Sequence, residues 1–150
     1  MTDHCKLAES KGDCMSEITS EEVVRRFWTE FGPTYEDAVA SSKRWLHEDL
    51  QLVAFNAGIE RLDTMLEDLQ RARDGLGIHG YRVSLPNVAA NGSTVFAERH
   101  EELLGADGEV VTTFDVVGVF TVEDGRIRRF RDYFFDSRQM AAGWQDPTES

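Results

Sequence analysis

A chain of 150 residues with 41% hydrophobic and 29% charged residues is long enough to bury one core and too short for two comfortable domains. Its formal net charge of -12 repels phosphate backbones and anionic lipid, which argues against nucleic-acid and membrane partners and favours a neutral or weakly polar small molecule. No stretch approaches the roughly 20 apolar residues that span a bilayer, and the start, MTDHCKLAESKGD, lacks the apolar core of a secretory signal, so the expected location is cytoplasmic.

Residues 1–17 show no periodicity and read as a disordered leader, 18–145 as a single domain and 146–150 as a tail. The leader holds both cysteines, Cys5 and Cys14, read as free thiols. The four histidines, His4, His47, His79 and His100, have no metal-ligand spacing, so no metal is implied. Thr19 with Glu22 spells a capping box, after which Val23, Val24, Phe27, Trp28 and Phe31 fall on one helical stripe that Gly32 and Pro33 terminate. A second helix is expected after Thr34, with Val39, Ser42, Trp45 and Leu46 inward. Residues 49–58 read as a short strand, and Leu62, Met65, Leu66 and Leu69 as a third helix ended by Gly75, Gly77 and Gly80.

The period then switches to two. Segments 81–88, 93–104, 109–122 and 126–135 read as strands joined by hairpin dipeptides Asn91-Gly92, Asp107-Gly108 and Asp124-Gly125. Helices followed by consecutive strands predict an α+β domain in which a curved, mixed or antiparallel sheet wraps around the N-terminal helices and leaves a cavity between them. "GLGIHG" at 75–80 has dinucleotide-loop spelling but follows a helix and precedes a strand, the reverse of what a pyrophosphate site needs. Asn91-Gly92-Ser93 is read as a turn, not a glycosylation site.

Strand parity raises the functional question. Asp132 shares a face with Arg128, Phe130, Phe134 and Asp136, while Ile127, Arg129, Arg131, Tyr133 and Phe135 occupy the other. Likewise Arg99 and Glu101 sit between Val95, Ala97 and Leu103 on one face, opposite Phe96, Glu98, His100 and Glu102. If both faces line one concavity, an arginine fork can hold two carboxylates in a partly dry pocket, where they titrate as a coupled set able to supply an acid and a base together. A cluster of this kind can equally serve only to fix strand register.

The "ER.E" of "FAERHEELL", the "GVF" of 118–120 and "DGRI..FRDYFFD" at 124–136 resemble limonene-1,2-epoxide hydrolases, most clearly over 93–140. The resemblance implies the cone-shaped α+β fold shared with nuclear transport factor 2, ketosteroid isomerases and SnoaL-like polyketide cyclases, and a reaction without metal or organic cofactor. It implies Asp132 as general base on a water, Arg99 as bridge and Glu101 as the acid that protonates the epoxide oxygen. Glu101 stands where the family usually has aspartate. Leu52 and Ala54 stand where it holds the water with tyrosine and asparagine. Asn56, further along that strand, is either a substitute donor or a strand-end turn residue. By parity or resemblance, Leu52, Ile78, Leu103, Phe114, Val116 and Phe134 are expected on the pocket wall, and His100, Tyr133 and Phe135 at or near a homodimer contact. The reading is therefore one-step hydrolysis of a small hydrophobic epoxide, with an epoxide-opening cyclase or isomerase and a noncatalytic binder as alternatives.

Overall fold

The computed structural model describes residues 18–53 and 59–134. Three helices, α1 (Ser20–Glu30), α2 (Tyr35–Trp45) and α3 (Leu62–Leu76), pack on strands β1 (Leu46–Val53), β2 (Ile59–Glu60), β3 (Gly80–Asn91), β4 (Thr94–Leu104), β5 (Val110–Glu123) and β6 (Arg126–Phe134). The strands form one sheet in the order β2-β1-β6-β5-β4-β3. All neighbours are antiparallel except β1 and β6, which run parallel.

The helix starts follow the capping chemistry. The Thr19 side chain accepts from the Glu22 N–H at 3.1 Å. The reciprocal box forms at α2 instead, where Thr34 accepts from Asp37 N–H and the Asp37 carboxylate accepts from Thr34 N–H. The predicted stripe of α1 is buried: Val23, Val24 and Phe27 are fully inaccessible, and Trp28 and Phe31 nearly so. Their rings interlock with Phe120 and Phe130 of the sheet, with Trp28 and Phe130 centroids 5.7 Å apart. This joins α1 to the middle of the sheet's concave face.

Two readings of the sequence are corrected. The first sheet strand starts at Leu46, directly after α2, because Leu46 takes an extended conformation and is buried there with Leu50 and Leu52. Residues 54–58 of the expected strand lie outside the described residues. Ile127, assigned by parity to the outer face, is fully buried, because the register of β5 and β6 shifts between Thr121 and Val122 and inserts an extra residue. The extra residue is Arg128, whose guanidinium donates to the Asp49 carbonyl on β1.

Two glycines of "GLGIHG" serve chain geometry, one ending a helix and one letting two segments approach closely. Gly77 caps α3 in the left-handed conformation (φ 70°). Gly80 lies so near the α1–α2 loop that a Cβ would stand 2.1 Å from the Pro33 carbonyl oxygen. The loop is tied to β3 there by Tyr81 N–H to Pro33 O and Tyr35 N–H to His79 O, both 2.9 Å. Among the described residues no helix is long and apolar enough to cross a membrane.

Candidate active site

Among the described residues, the concave face carries one fully buried cation. Arg99, on β4, is 1% exposed. Its Nε donates to Glu101 Oε2 at 2.6 Å, and its Nη1 and Nη2 donate to Asp132 Oδ1 and Oδ2 at 3.1 and 2.7 Å. The two carboxylate side chains are 12% and 6% exposed. Alternation puts Arg99 and Glu101 on one face of β4, but Asp132 lies two strands away on β6, with β5 between.

The gap is bridged because Gly118 pairs directly with Asp132 on one side and Ala97 on the other. A Cβ at Gly118 would lie 2.9 Å from Arg99 Nη1 and 2.6 Å from Phe120 Cζ. The missing side chain leaves the lane through which the guanidinium crosses β5. Trp28 closes it from the helix side, its ring centroid 4.0 Å from the Arg99 Cζ.

Burial and charge act oppositely on the cluster. Burial pushes the Asp132 carboxyl above its ordinary range. The charge and hydrogen bonds of Arg99 pull it back, Glu101 raises it further, and the net direction is up. Burial disfavours the Arg99 cation, yet the two carboxylates outweigh this and hold its pKa above the ordinary value. Asp132 is thus a carboxylate whose basicity is raised while its orientation is fixed by a bidentate clamp.

The cluster faces a cavity of about 360 Å³, at the small end of ligand pockets (~300–1,000 Å³). Of the expected wall residues, Leu52, Leu103, Phe114 and Phe134 line it. Ile78 and Val116 are buried but do not belong to its lining, and Asn56, with Ala54, lies outside the described residues. Sequence reasoning missed Trp28, Phe31, Glu60, Asp68 and Tyr81, which also line it. The cue for Trp28 and Phe31 was present, since an inward helical stripe must meet the concave sheet; Glu60, Asp68 and Tyr81 needed the tertiary arrangement. The indole N–H of Trp28 is buried without a partner among the described residues. His47, Glu123 and Asp124, far apart in spacing, bring potential ligand atoms within 4.8 Å of one another at a partly exposed position outside this cavity.

The comparisons with known proteins agree with this architecture. The model of the limonene-1,2-epoxide hydrolase catalytic domain matches residues 31–145. The chain belongs to the limonene-1,2-epoxide hydrolase family. Among similar proteins, epoxide hydrolase EphG of Mycobacterium tuberculosis is 36% identical over 83 residues, a match spanning 55% of this chain and only 54% of the relative. The solved structure of an LEH-like epoxide hydrolase from M. tuberculosis superposes with a TM-score of 0.62 at 27% identity, covering 83% of each chain. A proposed SnoaL-like polyketide cyclase from Jannaschia sp. CCS1 shares the fold, with a TM-score of 0.62 at 15% identity over 85% of this chain and 93% of that one. The fold is therefore the nuclear transport factor 2-like cone that family membership implies, with an open six-stranded sheet.

Proposed function

We propose that this chain hydrolyses a small hydrophobic epoxide in a single acid/base step. Asp132 takes a proton from water as the water oxygen bonds to an epoxide carbon. The carbon–oxygen bond of the ring breaks, and Glu101 delivers its proton to the departing oxygen, giving a vicinal diol. Arg99 stays protonated throughout, orients both carboxylates, and leaves a pair that carries one proton between steps. The proton then returns from Asp132 to Glu101, which restores the starting state. The observation that supports this reading is the single guanidinium that clamps one acid from β4 and one from β6 at the wall of an apolar cavity.

A second reading has its own support. Leu52, on the cavity wall opposite Phe130 in register, cannot hydrogen-bond a water through its side chain. Without a held water, a hydroxyl of the substrate becomes the nucleophile and the same acid/base pair yields a cyclic ether. Incubating the protein with terpene and steroid epoxides in oxygen-labelled water separates the two. Labelled diol supports hydrolysis, unlabelled cyclic ether supports cyclisation, and neither product from any epoxide removes both.

We further propose that the chain pairs with a second copy through the outer sheet face. Phe96, Val117 and Tyr133 are exposed there, on β4, β5 and β6. Val117 pairs with Tyr133, while His100, hydrogen-bonded to Asp115 at 2.8 Å, lies on the same face. Phe135, also expected near this contact, lies outside the described residues.

A further inference from the structure

Tyr81 is the second residue of β3, and its backbone is held from two sides. Its N–H donates to the Pro33 carbonyl at 2.9 Å, and Gly32 lies so near that a Cβ there would stand 1.9 Å from the Tyr81 carbonyl oxygen. The ring meets Phe31 edge-on, centroids 5.0 Å apart. Tyr81 pairs with Leu103 and Val83 pairs with Glu101, so Tyr81 and Glu101 are diagonal neighbours on the same face of adjacent strands. The residue is 5% exposed and lines the cavity, yet its hydroxyl makes no hydrogen bond among the described residues. The hydroxyl is not among the buried atoms left without a partner, so although the ring is buried the oxygen reaches open space on the cavity wall, where a ligand can supply its partner.

We propose that the Tyr81 hydroxyl donates a hydrogen bond to the oxygen of the bound substrate, beside Glu101, and strengthens that bond as negative charge grows on the oxygen during ring opening. Tyr81 keeps its proton throughout, and Glu101 transfers the one that completes the product. Burial above all, and the Glu101 charge whenever that carboxyl is ionised, pushes the phenol up to about 12; burial acts also while Glu101 holds its proton, so the donor is present across the working pH range. The placement is on the acid side of the site, because β3 adjoins β4 and lies three strands from Asp132 on β6. The catalytic part of this inference rests on the hydrolase reading; the donor itself does not.

The test removes only the hydroxyl. Tyr81→Phe keeps the ring against Phe31, and cyclohexene oxide turnover is compared with the parent alongside the infrared carbonyl band of bound menthone, a saturated terpene ketone with one acceptor oxygen. Loss of a donor to developing charge is expected to lower kcat about 10- to 100-fold with little change in KM. The menthone band should lie at lower frequency in the parent and move up in the variant. A parent that turns over with an unchanged kcat in the variant overturns the catalytic role, as does a change confined to KM. If the parent turns over no epoxide, the hydrolase reading fails while the ketone band still decides the donor, which an identical band in both proteins removes. Should Tyr81→Phe not fold, 3-fluorotyrosine at position 81 gives a stronger donor of nearly the same shape, and the band must then shift further down; no shift overturns the proposal.

Discussion

The Arg99 guanidinium lies directly over Gly118, with Nη1 only 2.9 Å from where a Cβ would be. This close approach explains how a residue of β4 grips a carboxylate of β6 in a sheet where β5 stands between them. A glycine inside a strand weakens the strand, and it is retained where another group must come close to the backbone.

Replacing Gly118 with Ala should therefore cost more than a methyl group suggests. The added carbon meets Phe120, which is fully buried against Trp28 and Phe130, as well as the guanidinium. Overpacking of this kind costs roughly 1–3 kcal/mol, and relief by moving Arg99 would break the clamp on Asp132. Denaturant unfolding should show the lower stability, and turnover should fall with it. A variant with full stability and full turnover would show that the lane is not needed.

Asp132→Asn removes the base while keeping the shape. The amide oxygen can still accept from Arg99, so the protein should fold and bind ligand, whereas turnover should drop by about 10²–10⁴ in the range typical of a general base. Turnover equal to the parent would remove Asp132 from the chemistry. A variant that cannot fold would instead point to the cluster as a device for strand register.

Much of this arrangement was legible because alternation within a strand is rigid. Once β4 and β6 were placed, Arg99 with Glu101 and Asp132 with Phe130 had to share concave faces, and the structure bears this out. Alternation failed at Ile127, where a bulge adds Arg128 to β6, since nothing in the local pattern of "DGRIRRF" marks which of its residues is left unpaired against β5. Likewise the helix pattern of α1 marked Trp28 as inward without showing that it would cap an arginine. Tyr81 became visible only when the Pro33 loop and Gly80 fixed the start of β3 against α1.

The outer face carries its own expectation. Val117 pairs with Glu98 on one side and Tyr133 on the other, at the centre of the exposed apolar patch. Val117→Glu should convert a dimer into a monomer in light scattering, while unfolding stability changes by less than the assembly does, because the residue contributes little to the core. A parent that is monomeric at high micromolar concentration would remove the pairing proposal.

The pH dependence follows from the direction of the Asp132 shift. Burial raises its folded pKa above the ordinary 3.8, so the acid limb of kcat/KM should lie above the usual carboxylate range, because the base must be ionised to act. Stability moves the other way. Between the unfolded and the folded pKa the native state holds more protons than the unfolded chain, so the contribution of Asp132 is fully present below about 3.8 and is lost as pH rises through the folded value. The stability of the parent relative to Asp132→Asn should accordingly decline from acid toward neutral pH. Glu101→Gln supplies an internal check on the cause: Glu101's charge raises the Asp132 pKa, so its removal should move the titration of Asp132 to lower pH, read by carboxyl NMR even where the variant has lost its acid and turns over nothing. A titration that stays in place, or moves up, would mean that the two carboxylates do not share the field of Arg99 as the geometry requires.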